Sequence, residues 1–211
     1  MHKIEKREIK PRVFLLKFKT QYQLAATFLR FQEHYESRKF AGKVFTIEEF
    51  MDWYVQENGR FSYFEDWAGF NVPSAALVPF SSGDFDPLLE KEKQLLELFQ
   101  NESGDFYIIG VLNKGDQVDT ETLAHELVHA KFHLDKKYRR EVLAAIKRHD
   151  TVSLEEHLGG MGYHRRVLKD EVNAYLVSGD EDLPRKFTSK LKRLKKELIS
   201  LHQQYEEDGL Q

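Results

Sequence analysis

The chain has 211 residues, 41% of them hydrophobic and 32% charged, with no cysteine and a formal net charge of -3. That is enough apolar chain for a packed core, and the lack of cysteine excludes disulfides, thiolate metal sites and cysteine nucleophiles. The N-terminal run MHKIEKREIKPR has no apolar segment behind it, and no apolar stretch approaches the roughly 20 residues of a membrane helix, so a soluble cytoplasmic protein without a membrane partner is expected.

The charge is unevenly spread. Residues 1–45 carry 11 Lys or Arg against 4 acids, residues 46–126 carry 4 against 17, and residues 127–211 carry 17 against 14. So acidic a middle argues against a nucleic-acid partner. The basic run RKFTSKLKRLKK (185–196) reads as a solvated helix face.

In chain order, RVFLLKFKT (12–20) reads as a strand and QYQLAATFLRFQEHYES (21–37) as a helix. Thr46 with Glu49 three residues later is a capping-box pattern, opening a helix that Gly59 ends. Residues 61–87, rich in aromatics, Gly and Pro, read as a long irregular connection. Its aromatic cluster of Phe61, Tyr63, Phe64, Trp67 and Phe70 suits a core better than a binding platform. Pro87 stands at a first-turn position for a helix over 87–100. DFYIIGVLN (105–113), between Gly104 and Gly115, is a strand, and residues 120–149 form one long helix or two abutting ones. LGGMG (158–162) is a break, 164–179 a helix closed by Gly179, and Pro184 opens a last helix reaching about Glu207. The order predicts an α+β fold, mostly helical with a small sheet. A division near residue 86 would leave an N-terminal α+β extension (1–86) and a second domain (87–211) ending in the basic helix.

One motif carries chemistry. HELVH spans His125 to His129 around Glu126. On a helix, residues four apart lie one above the other, so both imidazoles leave the same face and can converge on one metal ion. Glu126 sits about 100° around from His125, where it can reach a water on the metal. The helix follows a strand, has Asp119 or Thr120 at its N-cap, and shows an apolar face of Leu123, Leu127, Ala130 and Leu134. His133 continues the series but cannot join it. Eight residues rise about 12 Å, too far for three imidazoles to share one ion at about 2.0–2.1 Å.

HELVH on such a helix resembles the active-site helix of the zincin metallopeptidases, and DFYIIGVLN resembles the strand that lines their substrate cleft. The resemblance implies a zincin-like domain, a Zn2+ cofactor and a third protein ligand later in the chain. His149, His157, His164, Asp170 and Glu171 are the candidates. Glu171 has Val167, Leu168, Ala174 and Tyr175 at ±3 and ±4, with no Lys or Arg within a turn on that face. A carboxylate aimed into such a surface needs a cation. Asp170 has the more polar neighbours Arg166 and Asn173, so Glu171 is the expected ligand and Asp170 is expected to matter little. EVNAY also resembles the glutamate helix of the gluzincin group, in which Ala follows three residues after the ligand. There an Asp often comes next to orient a ligand histidine; here Tyr175 stands in that place.

The resemblance further implies that Tyr163, His164 or Tyr175 could donate to a reaction oxyanion. The whole implies a zinc-dependent metallopeptidase acting on a peptide or protein through a zinc-activated water, with Glu126 as general base. The substrate would lie along the edge of strand 106–112, and residues 61–87, with Glu65 or Asp66, could screen the cleft. A metal-free or structural-zinc interaction module, and a zinc hydrolase of a non-peptide bond, are the alternatives. His2, His34, His149 and His202 sit among charges and read as solvated.

Overall fold

A computed structural model describes residues 4–114, 117–179 and 183–208; the expected boundary residue Gly115 and the histidine His2, expected to be solvated, lie outside them. The fold is α+β, as expected. Its contacts divide the chain into two compact units, Met1–Leu123 and Ala124–Gln211. That corrects the division expected near residue 86. The strand thought to belong to a second domain is built into a sheet with strands from the first hundred residues.

The first unit opens with β1 (Glu5–Lys10), β2 (Val13–Phe18), α1 (Gln21–Glu36) and α2 (Ile47–Asn58). Thr20 caps α1 by accepting from the Gln23 N–H. The Thr46–Glu49 capping box forms, and Gly59 closes α2 in the left-handed conformation (φ 78°), where a side chain would be strained. Next come α3 (Tyr63–Asp66), β3 (Gly69–Pro73), a 3-10 turn (Ser74–Leu77), α4 (Val78–Ser81), α5 (Glu90–Phe99), β4 (Tyr107–Lys114) and β5 (Gln117–Val118).

The sheet order is β1-β2-β4-β3, with β5 paired to β4. β2 and β4 run parallel and β3 antiparallel to β4. β2, apart from Lys17, and β4 over Tyr107–Val111 are buried, which is why they read as continuous apolar runs rather than alternating ones. β4 is hydrogen-bonded on both sides over Tyr107–Val111. The edge expected to receive a substrate is therefore already occupied by β2 and β3.

Residues 61–87 are likewise not an irregular connection. They contain α3, β3 and α4, and their rings belong to the core. Tyr63, Phe70, Phe80 and Phe85 are buried, with Phe61, Phe64 and Trp67 packed against them. Asp66 accepts hydrogen bonds from the Tyr54 and Ser62 hydroxyls, so this segment is scaffold of its own unit. The strand was hidden because β3, GFNVP, holds both Gly and Pro, residues that usually punctuate strands.

Helix α1 lies over β4 at Gly110, where the missing side chain matters. A Cβ there would stand 2.8 Å from Phe28 Cζ and 2.9 Å from Leu24 Cδ1. Behind α1, Arg30 and Glu92 form a buried pair, the Arg30 Nε donating to Glu92 Oε1 at 2.7 Å and Nη2 to Oε2 at 2.5 Å. Arg30 also reaches the Phe45 and Phe85 carbonyls at 3.4 Å, and Glu92 accepts from the Leu89 N–H at 2.8 Å. One guanidinium thus ties α1 to the start of α5 and to the loop before it.

The second unit is helical: most of α6 (Thr120–Leu134), then α7 (Lys136–Lys147), α8 (Val152–Gly160), α9 (Leu168–Ser178), α10 (Arg185–Lys190) and α11 (Lys192–Asp208). The long helical stretch is two helices because Asp135 stops the first and caps the second, accepting from the Lys137 and Tyr138 N–H groups. Helix α9 packs against α7, α8 and α11, so every residue from Asp170 to Leu176 is buried. His202 is not merely solvated: its Nδ1 lies 3.2 Å from the Tyr138 hydroxyl, itself 3.3 Å from Asn173 Oδ1. No helix among the described residues is long and apolar enough to cross a membrane.

Two outcomes are expected. Gly110→Ala should destabilise the first unit by about 1–3 kcal/mol through overpacking against α1, read as a lower urea midpoint; an unchanged midpoint would show that α1 yields freely. The second concerns Glu33, whose burial pushes its pKa from 4.5 to about 7 despite hydrogen bonds from Ser37 and Tyr63. Between pH 4.5 and about 7 the unfolded chain releases this proton while the folded chain keeps it, so stability falls across that window and levels off above it. Glu33→Gln should flatten that slope in thermal unfolding, and equal slopes in the two proteins would count against it.

Candidate metal centre

The site begins with the cap of α6. Asp119 Oδ1 accepts from the Glu121 and Thr122 N–H groups at 3.1 Å, satisfying two free donors of the first turn. From there the helical repeat places His125 one turn before His129 on the same face, with their Nε2 atoms 3.1 Å apart. The buried residues of α6 are Glu126, Val128, His129 and Ala130, so the inward face carries the chemistry. Of the expected apolar face only Ala130 is fully buried; Leu123, Leu127 and Leu134 are partly exposed.

Helix α9 supplies the rest. Glu171 Oε1 lies 3.7 Å from His129 Nε2, and Glu171 is only 2% exposed. One ligand atom each from His125, His129 and Glu171 falls within 4.8 Å of the others, a group able to hold a metal ion. Sequence reasoning ranked Asp170 as the outward acid, and the structure corrects this. Asp170 is also buried, and its Oδ2 lies 3.0 Å from His129 Nδ1. The neighbours at ±3 and ±4 misled because α9 is enclosed on all sides and has no outward face at this level.

The other ring has a partner too: His125 Nδ1 lies 2.9 Å from Ser178 Oγ. Sequence reasoning missed this serine, although it stands two helical turns after Glu171 and so on the same face. Of the three expected donors, Tyr175 sets its ring edge-on to His125 at 4.9 Å between centroids. Tyr163 is buried with its N–H on the Leu158 carbonyl, and His164 is partly exposed with its Nδ1 accepting from the Arg166 N–H. Neither belongs to the group formed by His125, His129 and Glu171. His133 likewise stands outside the ligand group.

The electrostatics call for a cation. Burial pushes the Glu171 carboxyl up to about 8; His129 pulls it down, while Asp170 and Glu126 push it further up. Burial would lower His129, but Asp170, Glu171 and Glu126 outweigh it and hold the ring well above its usual range. Burial, aided by His129, drives His125 down to about 3. Three acids thus crowd one ring pair, and Glu171 Oε2 and Asp170 Oδ1 are buried without a hydrogen-bond partner. A carboxylate oxygen in that position is costly unless a positive group meets it. Two imidazoles and one carboxylate are also the donor set that suits zinc. The residues fit the metal that the resemblance implies.

No family model, curated protein or solved structure matches the chain.

Zinc binding is expected to discriminate among these side chains. Glu171→Ala should lower zinc affinity by orders of magnitude. Asp170→Ala should lower it about 10–100-fold, the usual cost of removing a group that orients a ligand histidine. Competition against a chromophoric chelator measures both, and zinc affinity unchanged in Glu171→Ala would remove that residue from the ligand set.

Proposed function

We propose that the chain is a zinc-dependent metallopeptidase of gluzincin type, with His125, His129 and Glu171 holding the ion and a peptide or protein as substrate. The observation that supports this best is the convergence of one nitrogen from each histidine and one carboxylate oxygen of buried Glu171 within 4.8 Å, beside an acid of the HExxH motif that is itself only 6% exposed.

Zinc in this position supplies Lewis acidity toward a carbonyl oxygen and makes water acidic near neutral pH. The chain's own groups supply the remainder. Glu126 favours the charged form of the His129 ring and the neutral form of the Glu171 carboxyl, so it lies within electrostatic reach of the ligands while the motif keeps it off the ion. It takes the proton of the attacking water and passes it to the leaving amine as the C–N bond breaks. Tyr175, whose ring borders His125, is the donor this reading assigns to the carbonyl oxygen as it gains charge. Because β4 is bonded on both sides over Tyr107–Val111, the substrate backbone is held by other groups.

Glu126→Gln tests the reading. The variant keeps the side chain's length but loses the basic oxygen, so zinc content and melting temperature should stay nearly unchanged. Peptide cleavage by the zinc-loaded protein should fall by about 10²–10⁴-fold. A variant that cleaves as well as the parent would show that Glu126 is not the base. If neither protein cleaves any member of a peptide library while both hold zinc, a structural-zinc module or a hydrolase of another bond is favoured instead.

A further inference from the structure

Helix α9 does more than carry one ligand. Ser178 is its last residue, and its Oγ makes two contacts: the Ala174 carbonyl oxygen at 2.7 Å and His125 Nδ1 at 2.9 Å. A carbonyl can only accept, so the single hydroxyl hydrogen is committed to Ala174. The hydrogen between Oγ and Nδ1 must therefore belong to the imidazole. That fixes His125 as the Nδ1–H tautomer, with the lone pair of the neutral ring on Nε2. Asp170 makes the matching demand on His129, since an ionised carboxylate accepts and does not donate. Two lone pairs then face each other across 3.1 Å, with a Glu171 oxygen 3.7 Å from one of them. Such an arrangement repels unless a cation, proton or metal, lies between.

We infer that Ser178 is the positioning residue of His125: its hydroxyl selects the ring's tautomer and aims Nε2 at the ion. The inference rests on the zinc reading above and adds to it the group that orients the first histidine. The chemistry also explains a neutral group at this point. Glu126, Asp170 and Glu171 already place three buried acids around the ring pair, and a fourth carboxylate would add repulsion without a further cation to balance it. A hydroxyl fixes the tautomer and adds no charge. Tyr175, four residues after Glu171, meets His125 ring to ring, with 4.9 Å between centroids. One helix thus presents the ligand Glu171 and both orienting groups, Asp170 before it and Ser178 two turns after it.

The test uses the full chain, stripped of metal and titrated with Zn2+ and with Co2+. Ser178→Ala should weaken both metals about tenfold, the lower end for loss of such a partner, and should alter the visible Co2+ absorption because the His125 ring is freed to turn. Ser178→Thr keeps the hydroxyl and should restore affinity and spectrum, and the metal-free melting temperature should be alike in all three proteins. Parental affinity and spectrum in Ser178→Ala would overturn the inference, as would equal losses in the Ala and Thr variants or a drop in metal-free stability that accounts for the loss. A parent chain that takes up neither metal would overturn the zinc reading itself, and this inference with it.

Discussion

Asp170 and Glu171 are buried side by side on one helix, and everything around the candidate centre follows from that constraint. Neighbouring carboxylates in a low-dielectric interior repel, and each demands a donor or a cation. Asp170 finds one in the His129 ring at 3.0 Å. Glu171 faces the other nitrogen of that ring at 3.7 Å and keeps an oxygen with no partner at all. The pair can be afforded only because α6 brings two imidazoles to the same place, and α6 can do so only because its histidines are four residues apart. Packing α9 against α7, α8 and α11 then excludes the water that would otherwise screen the charges.

Much of this was legible in the sequence because it depends on local periodicity. The His125–His129 spacing, the Thr46–Glu49 box and the closing Gly59 each express a rule that operates within a turn or two of helix, and the structure contains them. Glu171 was singled out by the same means, from an apolar setting at ±3 and ±4 that leaves a carboxylate without a cation, and it lies beside the two histidines. Asp170 was misjudged because its neighbours along the helix describe only the surface of an isolated helix. Here the enclosure comes from α7, α8 and α11, two of them remote in sequence.

The first unit shows the same limit from another side. β3 contains Gly69 and Pro73, which locally signal a turn, and it becomes a strand because β4 offers it a complete row of partners. β4 reads correctly as a strand, yet its neighbours depend on long-range pairing that no local pattern encodes. The expectation of a free edge failed for that reason. The domain division moved for the same cause, since β2 and β4 pair across almost a hundred residues.

The Arg30–Glu92 pair has a consequence for how such a chain can drift through evolution. Removing either partner strands the other as a lone charge in a nearly dry interior, at a typical cost of about 3–5 kcal/mol, whereas exchanging both for well-packed apolar residues is often neutral or better. The two positions are therefore separated from their apolar alternative by intermediates too unstable to persist. In descendants of a common ancestor they should be conserved together or replaced together. A chain bearing one without the other should also carry a compensating change among the Phe45, Phe85 and Pro87 carbonyl contacts that the guanidinium now reaches.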